Sequence, residues 1–349
     1  MALFFRLRTR SASRSSEVAV GLRILPVLVS ALLALVTTGA GLAEETYFFK
    51  LGTGPAGETR FALGGLIANA LSNPPGSRPC EKGGSCGVPG MVAVASSTQG
   101  SIADIKAVAG HRLDAALVDA DTAFWAVHGL GPFKGKPMTN LRGIAMIYPQ
   151  SLHLAVRHGI GIKTVRDLRG KRVALADGDQ ARGLAVLAAF GLSDKDVRTI
   201  PMRTDAAATA LAKGQIDALL VADAWPISEV TELARTGTID FLPLAGPETD
   251  GLVASAPYLR HGEIGSQAYQ GLTAPLPTLT LAVVLVTSAE ADPALIEGVT
   301  RALWHPSTRR LLADGNSHGH LVELDAEGLT ALGLELHPGA AAYYSSVQR

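Results

Sequence analysis

The sequence is poor in the features that mark several classes of protein. It has only two cysteines, 5% aromatic residues and no excess of either charge, with 31 basic and 31 acidic residues among 349. A chain without a basic excess lacks the electrostatic footprint of a nucleic-acid-binding protein, so we expect no nucleic-acid partner. We find no internal repeat at a solenoid period. After residue 43 no apolar run approaches the length of a membrane span, so we expect a soluble mature protein.

The N-terminus carries the one long apolar run, which extends from Ile24 to Leu42. Five arginines precede it: Arg6, Arg8, Arg10, Arg14 and Arg23. Small residues close the run before Glu44, so the pattern is that of a cleaved signal peptide. A membrane anchor is the alternative, although the run lies at the lower edge of the roughly 20 residues that a span needs. We predict a signal peptide over 1–43 and a periplasmic mature protein.

Removal of that segment leaves 26 basic and 30 acidic residues, a net charge of −4. The remaining chain is longer than a single hydrophobic core usually supports, so two lobes are expected.

Cys80 and Cys86 lie in a glycine-rich stretch, and in an oxidising compartment they should pair. The disulfide would contribute about 2 kcal/mol for so short a loop. A metal site is the alternative, but it needs more ligands, and the nearest histidine along the chain is His111. We predict a disulfide and no metal.

Short apolar runs alternate with helical stretches, which is typical of parallel sheets covered by helices. Strands are predicted at 47–51, 91–95, 115–118, 141–150, 152–157, 172–176, 197–200, 218–221 and 278–287. Helices are predicted at 61–71, 101–109, 164–168, 182–190, 206–211, 293–304 and 306–313. Pro149 separates two strand-like runs, which suits a crossing between lobes. The fold class is therefore α/β with two lobes, each a mostly parallel sheet flanked by helices, with 44–150 and 278–349 in the first lobe and 151–277 in the second.

Residues 52–57 match G-x-G-x-x-G between a predicted strand and helix. A dinucleotide site also needs an acidic residue about 20 positions later, and none is there, so the turn indicates anion or polar-solute binding, or has a purely structural role. Comparable turns follow three other strands, at 96–101, 177–181 and 222–226. Ligands of open α/β sheets bind at the carboxyl ends of strands, where these turns would lie, although helix capping and packing explain the same residue types.

Residues 83–87 match the G-x-S-x-G pattern of a hydrolase. The pattern needs a strand before the serine and a helix after it, and here it lies inside the predicted disulfide loop, so we do not expect a nucleophile. The histidines are scattered, and no nucleophile and base are predicted to meet. We expect no enzymatic activity and no cofactor.

The order of several motifs resembles the TAXI family of solute receptors, which serve TRAP transporters. The motifs are Gly52-Thr53-Gly54, Gly64-Gly65, Thr98-Gln99-Gly100-Ser101, Leu113-Asp114, the D-L-x-G-K-x-V run at 167–173 and the closing L-H-P-G-A and Tyr343-Tyr344. The resemblance implies the two-lobed fold of the type II periplasmic binding proteins and a receptor that closes on a small carboxylate and delivers it to an ion-driven permease. An ABC importer, a sensor of the same fold and a periplasmic hydrolase remain alternatives.

The sequence departs from the family where the ligand is expected to bind. Asp119, Asp121, Asp177, Asp179 and Asp223 fall near cleft-lining turns, where unpaired carboxylates would repel a carboxylate ligand. We therefore hypothesise a solute with a cationic or hydroxyl-rich end and a carboxylate, such as an amino acid, unless the aspartates are solvated caps at the rim. The predicted ligand contacts are Thr53, Gly54, Arg60, Phe61, Gln99, Gly100, Ser101, Asp121, Gly178, Asp179, Gln180, Asp223 and Trp225. Hinges are expected near 148–150 and 276–280.

Overall fold

A computed structural model describes residues 46–347 as a mixed α/β fold on one twelve-stranded sheet, and the predicted signal peptide lies outside those residues. The strands are β1 Tyr47–Gly52, β2 Ser72–Asn73, β3 Val88–Pro89, β4 Met91–Ser96, β5 Ala115–Asp119, β6 Leu141–Arg157, β7 Arg172–Ala176, β8 Arg198–Met202, β9 Ala218–Asp223, β10 Ile239–Phe241, β11 Arg260–Ile264 and β12 Leu276–Ser288. The helices are α1 Thr59–Leu71, α2 Ser101–Ala109, α3 Ala120–His128, α4 Gln180–Ala189, α5 Thr204–Ala212, α6 Ser228–Arg235, α7 Pro247–Ser255, α8 Pro293–Trp304, α9 Pro306–Gly315, α10 Gly328–Ala331 and α11 Pro338–Val347.

The order of the strands divides the sheet into two parallel parts. In the first lobe β1 pairs in parallel with β4 and β5, and in the second lobe β7 pairs in parallel with β8 and β9. The long strands β6 and β12 pair antiparallel with each other and connect the two parts. The predicted α/β class with two mostly parallel lobes is confirmed. Among residues 46–347, no helix is both long and apolar enough to cross a membrane.

Helix α1 shows how the sequence places a functional side chain. Leu63, Ile67 and Leu71 recur at helical spacing and are fully buried against the first-lobe sheet. Because this apolar face fixes the rotation of the helix, Arg60 in the first turn is held beside the carboxyl end of β1, where the G-x-G turn emerges. The helix ends before Pro74 and Pro75, which cannot continue it.

The predicted break at Pro149 is wrong, because β6 runs without interruption from Leu141 to Arg157. Pro149 pairs with Ala282 of β12, whereas pairing with β9 begins only at Ser151. At Pro149 β12 is thus the only neighbouring strand among the described residues. Proline has no N–H to donate, and no second strand lies beside it there to accept one. A second correction concerns 164–168, where a 3₁₀ turn at Val165–Leu168 replaces the predicted helix and Gly170, with φ 75°, follows it.

The predicted disulfide is confirmed, because Cys80 and Cys86 are bonded to each other. The structure also brings His305 to this loop, with its Nε2 3.8 Å from Cys80 Sγ, a proximity that the sequence did not indicate. Ser85, the serine of the G-x-S-x-G pattern, donates a hydrogen bond to the backbone carbonyl of Ser72. It lies between a 3₁₀ turn and the two-residue strand β3 rather than at a strand-to-helix turn.

Candidate functional site

A cavity of about 150 Å³ lies where the turns of the two lobes meet. We call it the acidic cavity, and both lobes contribute to its wall. The first lobe supplies Pro55, Ala56, Gly57, Glu58, Arg60 and Asp119. The second lobe supplies Ala176, Asp177, Asp179, Arg203, Thr204, Asp205, Val221, Ala222, Asp223, Ile227 and Glu229. Its size suits a ligand of about six to eight non-hydrogen atoms, since a cavity of about 150 Å³ accommodates benzene.

An adjoining cavity of about 650 Å³ extends from the acidic cavity toward the turn after β4. The two share Arg60, Asp119, Asp177 and Arg203 among their lining residues, so they form one cleft. The adjoining cavity is further lined by Ser97, Thr98, Gln99, Gly100, Ser101, Gly178 and Gln180. The turns after β1, β4 and β7 therefore face the same space, as expected for the carboxyl ends of parallel strands.

Arg60 lies in the first lobe with its side chain almost fully enclosed. Its Nε and Nη2 donate to Glu58 Oε2 at 3.1 and 2.6 Å, and its Nη1 donates to Ser101 Oγ at 2.6 Å and to Asp119 Oδ1 at 3.1 Å. Gly54 packs against this group, because a Cβ at Gly54 would lie 3.2 Å from Arg60 Nη2. Two carboxylates of its own lobe therefore already neutralise the guanidinium.

Arg182 of α4 links the two lobes through buried ion pairs. Its Nε donates to Asp121 Oδ2 at 2.8 Å, and its Nη2 lies 3.3 Å from Asp119 Oδ2. Both aspartates belong to the first lobe, whereas Arg182 and its third partner, Asp179, belong to the second. The Arg182 side chain is only 2% exposed. We call Arg182 and these three aspartates the inter-lobe ion cluster.

The buried acids outnumber the buried bases, and the pKa values reflect this excess. Burial of Asp119 favours its neutral form, but Arg60 and Arg182 together lower the pKa of Asp119. Burial raises the pKa of Asp121, with Asp119 adding to the effect and Arg182 opposing it. Burial likewise raises the pKa of Glu58, and it raises the pKa of Asp179 to about 7. Arg60 and Arg182 are thus the two guanidinium groups that pair with four carboxylates. The carboxylates are Asp119, Asp121, Asp179 and Glu58, so acidic groups are in excess over basic groups.

Asp223, at the end of β9, also touches both lobes. Its Oδ1 accepts from the Ala224 N–H at 2.7 Å, and its Oδ2 accepts from the Thr59 N–H of the first lobe at 3.2 Å. Within residues 46–347 no lysine, arginine or histidine lies within 4 Å of the carboxylate. Burial, followed by the nearby Glu58, raises the pKa of Asp223 to about 6.

Tyr148 on the crossing strand β6 is not among the lining residues of either cavity, but it lies close to charged groups that are. Its hydroxyl is buried and has no hydrogen-bond partner in the part of the chain that the structure describes. The charged groups that act on it are Asp223, Arg60, Asp119 and Glu58, all of which line the acidic cavity. Gln150, two residues further along, has an unpartnered buried side-chain oxygen among the same described residues. A buried polar atom without a partner is costly, so a ligand atom that reached the Tyr148 hydroxyl would be stabilised there.

The structure brings eight of the thirteen predicted ligand contacts to the cleft: Arg60, Gln99, Gly100, Ser101, Gly178, Asp179, Gln180 and Asp223. The other five lie outside the lining of both cavities. Thr53 is buried and donates to Ser96 O, Gly54 donates its N–H to Thr98 Oγ1, and Asp121 is bound by Arg182. Phe61 is 36% exposed, and Trp225 packs beside the second-lobe core.

Sequence reasoning did not single out Glu58, Arg182 and Tyr148 as site residues. Glu58 could have been found from its position two residues before Arg60. Arg182 lies one helical turn after Asp179, a spacing that predicts the pair within α4 but not its bridge to the first lobe. Tyr148 has no local signal, because its role depends on how β6 passes beneath the cleft.

Two α/β lobes joined by long crossing strands around a polar cleft form the two-lobed fold of periplasmic binding proteins. The sequence matches the NMT1-like family over residues 51–346, and the chain belongs to that family.

Solved structures share this fold at low sequence identity. A structure described as a periplasmic transporter has a TM-score of 0.50 and 13% identity, with 87% of this chain and 97% of that chain covered. A protein from Xanthomonas citri bound to ATP has a TM-score of 0.52 and 10% identity, with 86% and 100% covered. The alkanesulfonate-binding protein SsuA from Xanthomonas axonopodis pv. citri bound to MOPS has a TM-score of 0.47 and 18% identity, with 86% and 84% covered. At such identities the likeness shows the fold alone.

Proposed function

We propose that the protein is the periplasmic solute receptor of a TAXI-type TRAP transporter. It captures a small amino-acid- or carboxylate-like solute between its lobes and delivers it to the membrane permease. The observation that carries this proposal is the acidic cavity, whose wall is shared between the lobes. A solute held there contacts both lobes at once, so binding favours the closed arrangement, and closure excludes water and signals occupancy.

The lobe boundaries and the ligand contacts belong to this proposal. We assign residues 44–150 and 278–349 to the first lobe and 151–277 to the second. The hydrophobic clusters support the division, because one group is built mainly from 49–148 and 283–340 and the other mainly from 152–281. Cleavage of the signal peptide over 1–43 would release the receptor into the periplasm, with the eight predicted contacts that line the cleft as its binding residues.

The energy source of uptake distinguishes a TRAP permease from an ABC importer. Native mass spectrometry of the receptor purified from the periplasm identifies any copurified solute. Uptake of that solute, labelled, is then measured in cells with and without the receptor gene. We expect uptake to need the receptor and to stop when an ionophore collapses the ion gradient while ATP is maintained. Uptake that survives the ionophore but stops on ATP depletion would assign the receptor to an ABC importer.

Turnover is checked on the same purified protein. The solute is incubated with a stoichiometric amount of receptor and recovered after denaturation. We expect it to return unchanged, since the role proposed for the cleft is reversible binding. Chemical conversion of the solute would contradict a receptor function.

A further inference from the structure

The acidic cavity carries more negative charge than the chain itself neutralises. Seven acidic and two basic side chains line it, an excess of five negative charges when all are ionised. The acidic ones are Glu58, Asp119, Asp177, Asp179, Asp205, Asp223 and Glu229. Adding Asp121 and Arg182, which lie behind the wall, leaves the excess unchanged. Asp177 and Asp205 are exposed to solvent, whereas Asp119, Asp179 and Asp223 are buried. Buried charge without a partner is costly, so the buried carboxylates of the cavity favour an occupant of positive charge.

The guanidinium groups nearest the cavity are already committed to carboxylates. Arg60 makes four hydrogen bonds within the first lobe, and Arg182 contacts three aspartates. Arg203 lies at the exposed rim and pairs with Asp205. An incoming carboxylate would have to break one of these pairs, whereas an ammonium group would not.

Two unpaired acceptors identify where a cation would bind. The Asp223 carboxylate accepts from Thr59 of the first lobe and from the Ala224 N–H of the second, and no basic side chain within residues 46–347 pairs with it. The Tyr148 hydroxyl, 2% exposed as a residue, lacks a partner among those residues and is surrounded by lining groups of this cavity. A carboxylate and a phenolic oxygen are both suitable acceptors for an ammonium N–H.

We propose that the cavity selects a small organic cation, a primary amine or guanidine of about six to eight non-hydrogen atoms, held by Asp223 and Tyr148. This inference rests on the proposed receptor function and specifies its substrate class. A carboxylate at the other end of the solute is tolerated toward the adjoining cavity but is not required for binding. Because Asp223 also accepts from Thr59 of the first lobe, a cation bound to it stabilises the closed lobes.

Four probes that share a four-carbon chain and differ in charge test the proposal. They are putrescine, 4-aminobutanoate, 1,4-butanediol and succinate. The exported protein is unfolded in urea, which unlike guanidinium is uncharged and is not a ligand of the proposed class, and is refolded to remove endogenous solute; binding is then measured by isothermal titration calorimetry. We expect putrescine and 4-aminobutanoate to bind at least tenfold more tightly than 1,4-butanediol or succinate.

Two variants locate the cation. Asp223→Asn should weaken putrescine binding at least tenfold, and Tyr148→Phe, which keeps the ring, should weaken it about fivefold, since each loses a hydrogen-bonding group to the cation. The matched control is Asp194→Asn, at an exposed turn of the second lobe, which should bind as the parent does. Thermal melts of each variant verify that it is folded.

The outcomes separate the inference from the receptor function. Succinate binding more tightly than putrescine would overturn the cation selectivity and leave the receptor standing. Amine binding that is unaffected in folded Asp223→Asn and Tyr148→Phe would overturn the assigned site. Failure of all four probes to bind, combined with no solute copurified from the periplasm, would overturn both proposals.

Discussion

Substitution of Arg182 by Met tests whether the inter-lobe ion cluster holds the lobes together. Met keeps most of the volume but removes the charge, so Asp119, Asp121 and Asp179 lose the cation that they share. Removing one partner of a buried ion pair typically costs about 3–5 kcal/mol. For a chain of this size the melting temperature shifts about 2 °C per kcal/mol, so we expect a fall of about 6–10 °C at pH 8.

The pH dependence gives the substitution a second signature. Burial already raises the pKa values of Asp121 and Asp179 above their unfolded values, and loss of the Arg182 guanidinium raises them further, whereas Asp119 keeps Arg60 as a partner. A group of that kind stabilises the fold below its unfolded pKa and loses this contribution as pH rises through its folded pKa. The deficit should therefore be largest at pH 8 and shrink toward pH 5. Small-angle scattering should show a larger radius of gyration for the variant at pH 8, because opening hydrates the carboxylates.

Controls separate the cluster from general charge loss. Arg166 pairs with Glu248 at the surface, and Arg166→Met should change stability by less than about 0.5 kcal/mol. Adding Asp121→Asn to Arg182→Met removes one of the orphaned charges and should recover part of the melting temperature. A melting temperature within 1 °C of the parent, or a deficit equal at pH 5 and pH 8, would refute the assignment of this cluster as the inter-lobe clamp.

Three further changes probe the buried polar groups. Burial raises the pKa of Asp179 from 3.8 to about 7, so its contribution to stability is complete only below the unfolded pKa and is lost as pH rises through 7; the gain in melting temperature of Asp179→Asn should therefore be largest at pH 8 and shrink progressively toward pH 4. Tyr269→Phe removes a hydroxyl that accepts from the Ile227 N–H and bonds to His153 Nε2 at 2.9 Å, and urea denaturation should show a loss of about 1–3 kcal/mol. Replacing Cys80 and Cys86 together by Ser should lower the free energy of unfolding by about 2 kcal/mol, and an unchanged urea midpoint would contradict this.

The elements that sequence reasoning predicted well are those with regular burial. In α1 the buried positions recur at helical spacing, and β5 is a continuous buried run that lies between β1 and β12 within the sheet, so local pattern sufficed. Pro149 misled because a local rule was applied without knowledge of the neighbouring strands. The proline is compatible with β6 because the pairing of β6 with β9 begins only at Ser151, two residues later. That pairing is a property of the whole sheet and cannot be seen in the segment alone.

The sequence predicted where the candidate site lies but not which of its charged side chains pair with one another. The turns that follow strands were identifiable, and most of their residues do reach the cleft. The sequence-based hypothesis treated Asp119, Asp121 and Asp179 as free carboxylates, whereas Arg182 contacts all three in the folded chain. Asp121 lies 61 residues before Arg182 and on the other lobe, so no spacing rule could pair them.

This pairing divides the aspartates of the cleft into two functional groups. Asp119, Asp121 and Asp179 have a cation from within the chain, and their role is to join the lobes. Asp223 has none among the described residues, faces the same cavity and accepts from Thr59 of the first lobe. One group of carboxylates therefore holds the lobes together, and a different carboxylate selects the charge of the solute. Because the two groups are separate, Arg182→Met should shift the balance between open and closed lobes while leaving the preference for an amine over succinate intact, and Asp223→Asn should do the reverse.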